Sequence, residues 1–275
     1  MRWPFPIKKS RVAAVNIQRG FTLVELISVI VIIGIVAALG SSFLITTVDS
    51  YDQTQMRSKL VNKGRLALEQ MTRQLRAALP NALRVSGSGN CIEFLPIVGG
   101  ANYLEPLPDA QNGAAPAGTV DTAPFTIGLG TGRHVVVGAL TAGDVYTLAS
   151  PSARAQIAPL SGGPHSTVTF SSPHTFSQNS INRRLYVVDD PKRFCVAGGG
   201  LVQYDNYGLD TGALGDGNPG GATVLMAQQV SANGTAFALS PGSEDRNAAV
   251  LIALVFAERN QQIALNHTVL VRNVP

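Results

Sequence analysis

One carboxylate in this chain stands where a carboxylate is costly. Glu25 lies near the head of an apolar run from Phe21 to Ile45, and no other residue of that run is charged. An ionised acid inside a bilayer costs about 2.5 to 3.5 kcal/mol on insertion scales and needs a cationic partner. At the membrane edge the same acid is tolerated by snorkelling, which is the alternative reading. The only cysteines, Cys91 and Cys195, lie beyond the run beside strand-like residues. On an exported chain a single disulfide is the economical reading, and two reduced thiols filling apolar space are the alternative. With no Cys-x-x-Cys pair, neither a metal ribbon nor a thioredoxin-type site has support.

Other candidates carry less. Asp205, Asp210 and Asp216, with Asn206 and Asn218, offer oxygen ligands in a glycine-rich stretch, the chemistry that calcium prefers, but their spacing is not that of an EF-hand. They are weak calcium candidates beside the plainer reading of a solvated loop, and no other metal or cofactor is expected. His134, His165, His174 and His267 show no ligand spacing, and no Ser, His and Asp set stands in a catalytic context. Gly128-Leu-Gly-Thr-Gly-Arg133 has the composition of a phosphate cradle, yet it runs into His134-Val-Val-Val-Gly, a strand pattern, where phosphate chemistry needs a helix start. The reading is a turn, and no catalytic residue is expected.

The elements that position these residues follow from composition and periodicity. A hydrophobic content of 45% with 14% charged residues suffices for a packed core. Of the 21 basic residues, Arg2, Lys8, Lys9, Arg11 and Arg19 precede the apolar run, which leaves 16 basic against 17 acidic residues and a net charge of −1. A nucleic-acid footprint belongs on a folded domain, so the high pI gives no support for that class of partner. The run from Phe21 to Ile45 is long enough to span a bilayer as a helix. Bases stand on its N-terminal side at the membrane edge, which puts Met1 in the cytoplasm and the bulk of the chain outside it.

From Asp49 to Leu79, Met56, Leu60, Ala67, Met71, Leu75 and Leu79 recur at helical spacing, and Pro80 ends the pattern. One helix from 21 to 79 is expected, with 21–45 transmembrane and 46–79 amphipathic. Its outer half carries Arg57, Lys59, Lys63, Arg65, Arg73 and Arg76 against Asp49, Asp52 and Glu69, mostly a solvated face. Beyond Pro80, in 80–275, short β-branched runs separated by Gly, Pro, Asn and Ser predict an antiparallel sheet. Strands are expected at Cys91–Ile97, His134–Leu140, Val145–Leu148, Thr167–Phe170, Arg184–Val188, Gly200–Tyr204, Thr223–Val230, Ala249–Ala257 and Thr268–Val274. The last two form a closing pair. The glycine-rich stretches 99–132 and 208–221 are expected as long surface loops.

Arg19-Gly-Phe-Thr-Leu-Val-Glu25 at the head of an apolar helix resembles the type IV prepilin cleavage and methylation signal. The resemblance implies that a prepilin peptidase cuts after Gly20, removing a basic leader of residues 1–20, and methylates Phe21. It implies that Glu25 pairs with the terminal amine of a neighbouring subunit. The new amine of Phe21, four residues before Glu25, would lie on the same helix face. The competing reading is a secretory signal cut at Ala38-Leu39-Gly40, for which the apolar region is too long.

The order of long helix, Cys91-Ile-Glu-Phe-Leu-Pro-Ile97, Arg193-Phe-Cys-Val196, Val202-Gln-Tyr-Asp-Asn-Tyr-Gly208 and Val271-Arg-Asn-Val-Pro275 is similar to the MshO-type minor pilins of mannose-sensitive haemagglutinin (MSHA) pili. PilW-like minor pilins and J-type pseudopilins of type II secretion are relatives. The resemblance implies an α+β fold, a long N-terminal helix packed against an antiparallel sheet. It implies a structural, non-enzymatic subunit that helps to initiate or tip a filament serving cell adhesion. The implied partners are prepilin peptidase, other minor and major pilins, and the inner membrane, with a periplasmic C-terminal domain before assembly into a pilus or pseudopilus. The rivals are a J-type pseudopilin and a secreted or anchored protein binding carbohydrate or a surface.

Overall fold

The computed structural model describes residues 20–147, 150–242 and 247–272. The basic leader residues before Gly20 lie outside these, as do Leu148 and the last three residues of the chain. The chain divides into two compact units, Met1–Gln53 and Thr54–Pro275.

The described part of the first unit is the start of one helix, α1, which runs from Leu23 to Arg76. Its most apolar 18-residue window has a mean hydropathy of 2.7 and is 0% buried, so it is long and apolar enough to cross a membrane.

In the second unit α1 buries a stripe of Leu60, Gly64, Ala67, Met71 and Leu75. Spacings of three and four keep these residues on one face. Gly64 permits the closest approach. A Cβ there would collide with Leu265 Cδ1 and stand 3.2 Å from Phe256 Cε2. The helix ends in tighter bonds, with Ala77 N–H donating to Gln74 O and Ala78 N–H to Leu75 O, three residues earlier than the reading from periodicity. Pro80 forbids continuation.

Every ladder between strands is antiparallel. The first sheet joins β1 (Arg84–Val85), β2 (Cys91–Phe94), β7 (Lys192–Ala197), β8 (Gly200–Asp205) and β9 (Ala222–Gln228) in the order β1-β2-β7-β8-β9. A second holds β10 (Val230–Ser240), β11 (Ala248–Glu258) and β12 (Gln261–Val271), where β11 and β12 are the closing pair. The α1 stripe shares one core with both sheets, through Ile92, Phe94, Phe194, Phe237, Leu254 and Phe256. The fold is therefore α+β, a long N-terminal helix packed with antiparallel sheets.

The third sheet, in the order β3-β6-β4-β5, comprises β3 (Ile97–Asn102), β4 (Ala117–Val136), β5 (Arg154–His174) and β6 (Arg184–Val188). It curls on itself. The end of β4 pairs with β6, while its first half reaches the end of β3, where Tyr103 bridges Thr122. This overturns the reading of 99–132 as a loop, because β3 and most of β4 occupy it. The glycines are absorbed as bulges, seen as register shifts along β4 and β5, and at Gly132 a Cβ would collide with Val187 Cγ1.

The strand expected at Val145–Leu148 is instead a short helix, α2 (Ala142–Tyr146). Thr141 and Asp144 form a capping box that favours a helical turn over an extended chain. Cys91–Ile97 is split between β2 and β3 by Leu95-Pro96, since Pro96 has no ladder donor.

Candidate functional site

The head of α1 is built by Thr22. Its Oγ1 accepts the N–H of Glu25 at 3.2 Å and its carbonyl accepts the N–H of Leu26 at 3.2 Å, so Thr22 caps the first turn. Phe21 consequently precedes the helix and does not lie on its face, a correction to the same-face relation with Glu25 drawn from spacing alone. Gly20 and Phe21 are both exposed, Phe21 at 81% of its surface, and a Cβ at Gly20 would meet nothing within 4 Å. Gly20 and Phe21 therefore stand outside the capped helix and open to solvent. The Glu25 carboxylate has no partner among the described residues. An acid within a helix of this hydropathy therefore presents an unpaired negative group for a cation from outside the described residues.

The prokaryotic N-terminal methylation motif matches residues 15–41. This match supports a type IV prepilin-like protein. It takes in Gly20, Phe21, Glu25 and the start of the apolar run, and it implies processing by prepilin peptidase and association with other pilins. With a membrane-capable helix behind it, the motif fits a membrane-anchored pilin and suggests a structural protein, not an enzyme. No curated protein and no solved structure matches the chain.

In the second unit the two cysteines meet, whereas the three aspartates have separate partners. Cys91 and Cys195 are directly opposite in the β2–β7 ladder and form a disulfide, both fully buried. Asp205 pairs with Lys192 at 2.8 Å, and Asp210 Oδ1 accepts the N–H of Gly212 at 2.9 Å. Asp216 accepts from the hydroxyls of Ser86 and Ser88, which hold its carboxyl below the usual range. No group of three potential metal-ligating side chains occurs among the described residues.

Gly128–Arg133 is a bulge within β4, with Thr131 N–H donating to Asp189 Oδ2 at 3.0 Å, and no helix begins there. His134 lies on β4 and His174 at the end of β5, and both are buried. Arg154 Nη1 donates to His134 Nδ1 at 3.1 Å. The ring is therefore neutral, with Nε2–H toward Asp190. Burial, then Arg154 and Arg133, pull its pKa down to about 4.

Sequence reasoning missed the most buried charge of the domain. Glu93, on β2, is fully buried between Arg84 on β1 and Arg193 on β7. Arg84 Nε donates to Oε1 at 2.7 Å, Arg193 Nη2 to Oε2 at 2.9 Å, and the Tyr207 hydroxyl to Oε2 at 2.7 Å. Burial first, then the adjacent carboxylate, pushes the Tyr207 phenol far above its ordinary pKa.

The same arginines hold the loop 208–221. Arg84 donates to the carbonyls of Asp210 and Gly212, and Arg193 to those of Gly215 and Gly217. Leu214, from the middle of the loop, is buried beside the disulfide and Tyr204. The stretch is the surface loop expected, largely exposed, and two cations pin it over the sheet. A signal for this was present. Once Cys91 faces Cys195 in an antiparallel ladder, Glu93 must face Arg193.

Proposed function

We propose that this chain is a minor pilin of the MSHA MshO type that helps to initiate or tip a type IV pilus. The observation that carries the reading is the head of α1, an exposed Gly20-Phe21 step before a capped apolar helix with one unpaired acid at Glu25. Prepilin peptidase removes residues 1–20 and methylates the new terminus at Phe21. The second unit then lies on the periplasmic side of the inner membrane, a placement supported by the bases upstream of the span. During assembly the terminal amine of a neighbouring subunit neutralises Glu25, which removes a charge-burial cost of several kcal/mol. The disulfide suits an oxidising compartment. Intact-mass and N-terminal analysis of membrane-extracted protein tests the reading. It requires loss of residues 1–20 and an N-methylated Phe21. A mature terminus at Ser41, or a retained leader, overturns it.

A further inference from the structure

Strand β12 forms the rim of the second sheet. It pairs with β11 over all 11 of its residues without a shift in register, and nothing pairs with its other side among the described residues. The ladders of the other long strands, β4, β5 and β10, all carry shifts. A free edge exposes the N–H and C=O groups of alternate residues, and natural sheets blunt such edges with charge, proline or a bulge. None of these occurs here. Gln261-Gln-Ile-Ala-Leu-Asn-His-Thr-Val-Leu-Val271 contains no Pro, Asp, Glu, Lys or Arg, and its Ala264, Asn266, Thr268 and Leu270 are exposed.

Charge appears where the strand stops. Arg76, the last residue of α1, and Arg272 line a cavity of about 510 Å³ with Asn247 and Leu270. Both arginines are exposed, and neither guanidinium has a partner among the described residues. Two like charges gathered at one concavity favour an anion between them, and the planar fork of a guanidinium matches the two oxygens of a carboxylate.

We propose that β12 accepts an extended segment of a partner protein as a fourth strand, with a carboxylate of that segment seated between Arg76 and Arg272. The backbone ladder supplies affinity with little regard to sequence, and the arginines select a segment with an acid at the end that reaches the cavity. A second copy of this chain is a poorer occupant. Set antiparallel along the same edge, its β12 brings Gln261 and Gln262 to the cavity, and the acid next to them in sequence, Glu258, is engaged by Lys63 at 3.8 Å. An anionic lipid meets the charge but leaves the open N–H and C=O groups of the strand unmet. All of these groups belong to the second unit, so the site does not depend on the head of α1.

Fluorescence anisotropy with the detergent-solubilised full chain tests the site. The probe is a labelled peptide of alternating Thr and Val with Asp-Asp at both ends, which serves either strand direction. It should bind about fivefold more tightly than the same peptide ending in Asn-Asn, the worth of two exposed ion pairs. Arg76→Glu with Arg272→Glu should abolish that preference, and a probe ending in Lys-Lys should bind the reversed chain in its place. N-methylation of one alternate set of probe amides should abolish binding, whereas methylation of the other set should change it by less than about twofold, as a ladder requires. An intact Cys91–Cys195 bond and an unchanged unfolding midpoint show that the reversed chain is folded.

No binding of the acidic probe, equal binding of the acidic and neutral probes, indifference to reversal, or tolerance of both methylated sets overturns the proposal. So does a dimer of the free chain that the probe dissociates, which gives the edge to a second copy. A reversal that leaves peptide binding alone but releases the chain from phosphatidylglycerol vesicles gives the cavity to lipid, with the same consequence. Glu244 and Asp245 precede Asn247 in sequence. Should Glu244→Gln with Asp245→Asn destabilise the wild-type chain but not the reversed one, the arginines serve acids of this chain and the proposal falls.

Discussion

Replacing Glu93 by alanine would strip a buried guanidinium, Arg193, and a partly buried one, Arg84, of the carboxylate that forms ion pairs with both among the described residues. The side chains of Arg193 and Arg84 are 4% and 14% exposed, so neither can be rehydrated without moving the sheet or the loop above it. Breaking a buried pair from one side costs about 3–5 kcal/mol, because the charge left behind is uncompensated. For a domain of this size each kcal/mol lowers Tm by roughly 2–4 °C, so a fall of about 6–20 °C is expected. The loop should loosen as well, since the same arginines hold the carbonyls of Asp210, Gly212, Gly215 and Gly217.

Glu93→Gln keeps the acceptor oxygen but not the charge and should fall between wild type and alanine. The triple replacement Glu93→Met, Arg84→Met and Arg193→Met removes all three charges together and should cost far less than Glu93→Ala alone. Thermal unfolding of the detergent-solubilised chain, with limited proteolysis at 208–221, measures both effects. A loss under about 1 kcal/mol for Glu93→Ala, or a triple replacement as damaged as the single one, would refute the argument that unpaired charge dominates here.

Two further outcomes follow from the packing. Gly64→Leu should destabilise the domain by about 1–3 kcal/mol, because a side chain there meets Leu265 and Phe256; adding Leu265→Ala should recover part of the loss, and denaturant titration of both variants decides it. His134 has its pKa lowered from 6.5 to about 4, so between those values the unfolded chain binds the proton that the folded one refuses. Stability should therefore fall as pH drops from about 6.5 to about 4, by up to about 3 kcal/mol, and His134→Asn should flatten that dependence in unfolding curves taken across the interval.

The long helix was legible because its signals are periodic and local. The stripe through Leu60, Ala67, Met71 and Leu75 needs no knowledge of the rest of the chain to be seen. The head of α1 was legible for a related reason, since base, Gly-Phe, acid and apolar run must occur in linear order. The third sheet was not. Pro124, Gly128, Gly130 and Gly132 interrupt the alternation of β4, and its bulges shift which positions face inward, so a period of two never persists long enough to be read. Five residues of α2 hold too little periodicity to outweigh a β-branched Val145, and only the Thr141 and Asp144 capping box marks them.

Glu93 marks the boundary between these cases. On its own strand it is one acid in Cys-Ile-Glu-Phe, a pattern that reads as a residue turned toward water. Its burial becomes visible only through a register, and the disulfide fixes that register. With Cys91 opposite Cys195, the step of two residues that keeps a side chain on the same face carries Cys91 to Glu93 and, in the opposite direction, Cys195 to Arg193. The same step on the next strand places Arg84 against Glu93. The covalent bond and the ion pairs therefore lie side by side on one face of one ladder, and the loop from Gly208 to Gly221 closes over both. The chain thus carries two kinds of information. The order of residues at the head of α1 is a linear pattern that needs no tertiary structure, while the arrangement around Glu93 has meaning only after three strands have paired.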